Sequence, residues 1–540
     1  MVHVETVVFM LAVLIGLSAI THKIKVPYPV LLVGTGLLIG FVPFLPDLAL
    51  DPEVAFVIFL PPLLYQAASK TAWQEFTRSI RPITTLAVTL VFFTTSAVAL
   101  AAHYVIPHFS WPMAFVLGAI VSPPDAVAAN GIIKGLGLSK RVIAILEGES
   151  LLNDASALIA YRYAVGAVLT GHFVLWEASL QFALVAGGGL LIGGLLGWLV
   201  TLLLRRIGSA TSQTSLLLLA PYVAYLAAEH AHTSGILAVV SAGLFITRQA
   251  PEVLLPQARL ESRAVWDTLI FLLEGLVFLL IGLQLPAIVA DLHGYTTSQL
   301  LLYSVTVSLV TILIRILWVF FSTYYPRLLG WSTASDTDDR TTDVDWRNVL
   351  IVAWTGTRGV LSLATALALP LTLNSGQGFI QRPLILFLSF VVILVTLVLQ
   401  GMSLPLLIRL LGLPPQIDQA RADQALELLL ASRSLAYLEN DFPLALRGEL
   451  KQTLIRRYRA LVHELDATLY QTYSAPDLVT DQGLVNQQWA AERTLGHYQQ
   501  TLLVALATEK HFSDEVLRTA ERRIDLAMAR LDASEQAAPG

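Results

Sequence analysis

Apolar stretches of roughly the length a helix needs to cross about 30 Å of hydrocarbon recur thirteen times in the first three quarters of the chain. They fall near 5–21, 28–45, 53–68, 82–102, 113–129, 142–169, 181–204, 213–229, 233–248, 267–289, 298–324, 348–370 and 383–411. The pattern predicts an all-α polytopic membrane protein of about 13 transmembrane helices. The first stretch reads as a span, because it lacks the basic region and small-residue cleavage site of a secretory leader. Beyond Leu413-Pro414-Pro415 the pattern changes. Segments such as QALELLLASRSLAYLEN and SDEVLRTAERRIDLAMARL space their apolar residues at helical intervals. The chain therefore divides into a transmembrane domain, 1–413, and a cytosolic helical C-terminal domain, 416–540.

Two windows carry interruptions. In AIVSPPDAVAA, Ala119 to Ala129, Pro123 and Pro124 remove two backbone donors and clash with preceding carbonyls. The fifth helix should break there, with Asp125 at the break. In AWTGTRGVLSLA of the twelfth window, Gly356 and Gly359 flank Arg358. Broken backbone at membrane depth is tolerated only where it is buried in protein or lines a polar cavity. Two interrupted spans seven apart, in halves of opposed orientation, fit the inverted repeats of secondary transporters.

The sixth window contains EGESLLNDAS, Glu147 to Ser156. Residues four apart share a helix face, so Ser150 and Asp154 point together with Glu147 close by. Glu149 and Asn153 form a neighbouring stripe about 100° round. The first stripe offers hard oxygen ligands; the second offers a carboxylate suited to an internal partner.

Composition and charge sharpen this picture. The 540 residues are 55% hydrophobic and 14% charged, against about 25% charged in soluble proteins. Alternate connections carry 16 Lys and Arg residues, and the intervening ones only Arg382. Positive charge stays on the cytoplasmic side, which puts the N-terminus outside and the C-terminus inside. The tail has 13 basic and 18 acidic residues, too acidic for a polybasic lipid clamp. With no cysteine, disulfides, thiol catalysis and thiolate metal sites are excluded, and HExxH spacing is absent.

A charge at a span centre costs about 2.5–3.5 kcal/mol on insertion scales and tends to mark an ion pathway. Asp125, Glu149, Asp154 and Arg358 sit deep. Glu229, Asp267 and Arg315 read as interfacial residues near span ends, Arg162 as a snorkelling side chain, and Glu147 as bordering a cytoplasmic funnel. His230 and His232 read as solvated in an outer turn. Gly189, Gly193 and Gly197, four apart, should permit close helix packing.

Six motifs in order carry a resemblance: FLPPLLYQAA, SPPDAVAA, EGESLLNDA, HTSGILAVVSAG, FLLEGLVFLLIGLQLP and TGTRGVLSLA. Over residues 1–411 the chain resembles the cation–proton antiporter superfamily, and within it the bacterial Na+/H+ exchangers of the NhaP type, relatives of the animal sodium–proton exchangers. The resemblance implies a homodimer in the bacterial cytoplasmic membrane, with a six-helix core moving like an elevator against a fixed scaffold. It implies that Asp154 takes up cation and proton, that Asp125, Ser150 and Asn153 complete the site, and that the Pro124 carbonyl is a further ligand. It pairs Glu149 with Arg358 as a structural ion pair. Electrogenic branches have two aspartates where this chain has Asn153-Asp154, so electroneutral exchange of Na+, and of Li+ with it, is implied. Two positions depart from the pattern. Gln66 stands where many relatives have an acid, and is expected to approach the cation as a neutral oxygen donor; Glu274 stands where relatives often have asparagine. No cofactor and no nucleic-acid partner are expected beyond the transported ions and the lipid bilayer. K+/H+ exchange is the main alternative, since hard oxygen ligands do not by themselves choose Na+ over K+. A cation channel would share acidic pore residues but has no need of two broken helices, and a membrane-embedded hydrolase lacks its motifs.

Overall fold

The computed structural model describes residues 4–21, 28–41, 52–71, 73–125, 140–170, 175–292, 294–328, 346–370, 379, 381–412, 418–444, 447–467, 482–509 and 512–537. Among these, every regular element is a helix. Helices α1 (Val4–Thr21), α2 (Tyr28–Gly40), α3 (Pro52–Lys70) and the short α4 (Trp73–Arg78) lead into α5 (Ile80–Val105). Then come α6 (Trp111–Val121), α7 (Lys140–Thr170), α8 (Leu175–Leu204), α9 (Ala210–His230), α10 (Gly235–Val253), α11 (Pro256–Ala290) and α12 (Thr297–Leu328). The twelfth window is split into α13 (Trp346–Trp354) and α14 (Val360–Leu367), and α15 (Arg382–Leu411) follows. The tail supplies α16 (Asp418–Asn440), α17 (Gly448–Ala467), α18 (Gln482–Glu509) and α19 (Asp514–Ala537).

Each apolar window thus coincides with a helix or with an interrupted pair. Residues 42–45 of the second window and 126–129 of the fifth lie outside the described residues. Among the described residues, six helices are long and apolar enough to cross a membrane by length and composition alone. The helix of the tenth window, α11, begins at Pro256, well before its apolar window. Its first turns alternate Arg and Glu with buried Ala258, Ser262 and Trp266, and a proline at the start of a helix gives up only an orphan N–H. Both predicted breaks are present: α6 stops at Val121, immediately before Ser122-Pro123-Pro124, and backbone from Thr355 to Gly359 separates α13 from α14.

Small residues set the closest approaches. A Cβ on Gly193 of α8 would stand 2.1 Å from the Ala238 carbonyl oxygen of α10, and one on Gly189 2.5 Å from that of Ser234. The expected packing role of the Gly189, Gly193 and Gly197 stripe holds. Gly36 of α2 and Gly282 of α11 meet in the same way, each with a backbone oxygen of the other helix 2.1 Å from where its Cβ would be.

The tail helices bury two apolar clusters, one around Leu426, Leu503, Val516 and Ile524, the other around Leu438, Leu454 and Leu495. They also dock on the membrane helices. Arg259 of α11 forks onto Asp525 of α19 through bonds of 2.8 and 2.5 Å, with both residues buried. Arg518 donates to the carbonyls of Lys70 and Thr71 at the end of α3, at 2.9 and 3.0 Å.

Candidate functional site

The proline pair explains how the two breaks come to meet. In an unbroken helix the Asp125 N–H would bond to the Val121 carbonyl four residues back. With the helix ended, the Asp125 N–H instead donates to the Thr357 carbonyl at 2.6 Å, and the Thr357 hydroxyl returns a bond to the Asp125 carbonyl at 2.9 Å. The Val121 carbonyl is taken by Arg358 Nε at 3.0 Å. Arg358 also bonds the Gly356 carbonyl, and its N–H donates to the Thr396 hydroxyl at 3.1 Å. Thr396 opens a π-helical stretch, Thr396–Gln400, in α15, a kind of local irregularity frequent at functional sites. Gly359 is obligatory here for space: a Cβ would lie 1.7 Å from Asp125 Oδ2.

Helix α7 crosses this junction and sorts its side chains as its periodicity predicts. Ser150 and Asp154 line a cavity of about 60 Å³. Pro123, Pro124 and Asp125 from the first break, Gly359, Leu361 and Ser362 from the second, and Glu274 and Phe278 of α11 line it too. On the adjoining stripe, Asn153 is fully buried and donates from Nδ2 to the Pro124 carbonyl at 3.0 Å. That bond ties α7 to the first break and fixes the carbonyl expected to act as a ligand. Of the predicted residues, Asp154, Asp125, Ser150 and Pro124 are therefore brought together, with Asn153 bracing them.

Two expectations are corrected. Glu149 does not pair with Arg358. It is held by both Nη atoms of Arg315, at 2.5 and 3.0 Å, with both side chains 1% exposed. Arg315 also donates to the Val352 carbonyl at 3.1 Å, so it links α12 to α7 and α13. Arg358 is committed to the carbonyls freed by the breaks, which compete for its donors. Arg315 is thus no interfacial side chain. The signal was available: it is the one charged residue in the apolar stretch 298–324, well inside its ends. The second correction concerns Gln66, which does not line the cavity. Its amide donates to Asp267 Oδ1 at 3.1 Å, and Lys70 stands 3.3 Å from the same oxygen. The Asp267 carboxylate of α11 takes the amide. Arg162, read as snorkelling, pairs with Glu229 through two contacts of 2.9 Å.

The transmembrane family of sodium/hydrogen exchangers matches residues 9–410 of this sequence. The chain belongs to the sodium/hydrogen exchanger family. The exchanger is 36% identical over 412 residues to a sodium, potassium, lithium and rubidium/H+ antiporter of Bacillus pumilus, a match covering 74% of this chain but 60% of that protein. It is 33% identical over 530 residues to an uncharacterized Na+/H+ exchanger of Mycobacterium tuberculosis, covering 97% of this chain and 95% of that one. The Na+/H+ antiporter ApNhaP of Aphanothece halophytica is 30% identical over 417 residues, covering 76% and 75%. In fold the exchanger resembles the sodium proton antiporter MjNhaP1 of Methanocaldococcus jannaschii, with a TM-score of 0.58 at 19% identity over 76% of this chain and 99% of that one. The expected NhaP-type membership is borne out, and these relatives are named as transporters rather than enzymes.

Proposed function

We propose that this exchanger moves Na+, and Li+ with it, against H+ across the bacterial cytoplasmic membrane, with cation and proton competing for Asp154. One observation carries the reading: Asp154 and Asp125 face one small cavity at the junction of two broken helices, with the Ser150 hydroxyl beside them. An empty pair of carboxylates in such a place is costly unless a positive charge compensates it. A proton or a cation does so equally well. The loaded site can therefore change its exposure while the empty, charged one is held back, which couples the two flows without a separate energy source.

In this reading Asp154 exchanges the proton, Asp125 and Ser150 share the cation, and the Pro124 carbonyl, braced by Asn153, completes the oxygen shell. With a single exchanging carboxylate, one proton moves per Na+ and the cycle is electroneutral. The broken helices belong to a core that shifts like an elevator within each protomer of a homodimer. Residues 1–413 form the transport domain, with the N-terminus outside, and residues 416–540 a cytoplasmic domain. A second reading, exchange of K+ for H+ at the same residues, is favoured by the Bacillus pumilus relative, which is named as an antiporter of potassium and rubidium as well as sodium and lithium.

The test uses purified protein in vesicles with an internal pH dye, challenged with Na+, Li+ and K+ from pH 6 to 9. Saturable, cation-driven proton efflux is expected, with apparent Na+ affinity falling as pH drops, towards tenfold per unit where one proton competes. Asp154→Asn should fold and be silent, because the amide keeps the shape and cannot titrate. Robust proton-coupled transport by that variant would overturn the mechanism, and flux driven by membrane potential would overturn its electroneutral part.

A further inference from the structure

Three acids, not two, border the cavity: Glu274 of α11 faces Asp125 and Asp154. Among the described residues they do not converge as a three-acid metal chelate, so Glu274 is set apart from the other two rather than being a third arm of one cage. It is half-buried, and Asp125 and Lys70 are charged neighbours that act on it. No lysine or arginine is among the cavity's lining residues. A second observation comes from α14. Ser362 also lines the cavity, is 1% exposed, and its hydroxyl has no hydrogen-bond partner among the described residues. Two hydroxyls close by in sequence are satisfied within their own helices: Thr355 donates to the Ile351 carbonyl at 2.7 Å and Thr365 to that of Leu361 at 2.8 Å. A helical serine ordinarily falls back on the carbonyl four residues earlier. For Ser362 that residue is Arg358, inside the break, where the backbone is not helical. Gln66, the neutral donor the sequence offered beside this site, is turned to Asp267 instead.

We propose that Glu274 and Ser362 form a cation subsite on the wall of the cavity, beside the Asp125–Asp154 site, and set its preference among monovalent cations. The inference rests on the exchange reading of that cavity. A carboxylate and a hydroxyl are hard oxygen donors of the kind small cations take. An added anionic oxygen strengthens the field around the ion, and a stronger field repays dehydration best for the smaller ions, Li+ and Na+ over K+.

The experiment measures cation-driven proton efflux in vesicles for the parent, Glu274→Gln, Glu274→Asp and Ser362→Ala. Glu274→Gln should raise the apparent KM for Na+ and Li+ about fivefold or more, that for K+ by less, and leave the maximal rate within about twofold. Glu274→Asp should recover part of the lost affinity, and Ser362→Ala should shift KM in the same direction by a smaller factor. KM values for all three cations within twofold of the parent in Glu274→Gln would overturn the proposal. So would a fall in maximal rate alone that Glu274→Asp does not repair, the mark of a purely structural role. Should Glu274→Gln fail to fold, the milder Ser362→Ala carries the same test, and an unchanged KM there overturns the joint site. Asp154→Asn, run beside them, tests the exchange reading separately: its activity would remove that reading, whatever Glu274 does.

Discussion

The Glu149–Arg315 pair offers the sharpest test of how the core is held together. Both side chains are 1% exposed, the guanidinium forks onto the carboxylate at 2.5 and 3.0 Å, and one Nη also reaches the Val352 carbonyl. Breaking a buried pair by removing one partner costs about 3–5 kcal/mol, while replacing both is often close to neutral. Against a total stability of about 5–15 kcal/mol, either single loss is severe. The two losses should not be equal. Arg358 lies beside the pair: a Cβ on Gly356 would sit 2.9 Å from Arg315 Nε and 3.0 Å from Arg358 Nη1. Glu149→Gln therefore leaves two buried guanidinium groups facing each other, whereas Arg315→Met leaves Glu149 with Arg358 still nearby. The expected order of melting temperatures in detergent is parent, then the Glu149→Gln/Arg315→Met double variant, then Arg315→Met, with Glu149→Gln lowest. The assay is thermal aggregation followed by size-exclusion chromatography, with the coupling of Glu149 to Arg315 compared with that to Arg358. Additive losses within about 0.5 kcal/mol for the Arg315 cycle, or stronger coupling of Glu149 to Arg358, would refute the pairing.

Other perturbations follow from the same contacts. Gly359→Ala places a methyl where Asp125 Oδ2 now lies, so vesicle transport should fall at least tenfold, a loss of about 1.4 kcal/mol or more in site energy; parent-like exchange would show that the Asp125 carboxylate is not fixed there. Gln66→Leu should leave cation KM within about twofold, because its amide serves Asp267; a large affinity loss would return Gln66 to the site. Gly193→Leu drives a side chain into the Ala238 carbonyl and should cost about 1–3 kcal/mol or more through overpacking, read as lost folded yield. Asp525→Ala removes the forked partner of Arg259 and leaves it Glu521 at 3.3 Å with the Pro251 and Leu254 carbonyls, and should make the tail more open to limited proteolysis while the membrane helices stay resistant; an unchanged digestion pattern would show that this ion pair does not hold the tail.

What the sequence determined by itself was everything governed by local chemistry. Apolar length gave the helices, because a backbone at membrane depth must satisfy its own hydrogen bonds. Pro123-Pro124 and Gly356/Gly359 marked both breaks, because proline cannot donate and glycine admits close backbone approach. The 3.6-residue period separated Ser150 and Asp154 from Glu149 and Asn153, and the two stripes do turn to different surroundings. What only the tertiary structure decided was partnership. Glu149 had two buried arginines within reach, and the sequence carries no record of which one is already occupied by the Val121 and Gly356 carbonyls. Gln66 closes the third-window motif FLPPLLYQAA and was expected at the cation, yet Asp267, 201 residues away in the chain, captures its amide. Arg259, counted as a loop charge, is buried against Asp525, 266 residues on. Pairing among buried polar groups is a competition settled by distance and geometry, and those are fixed only when the helices pack.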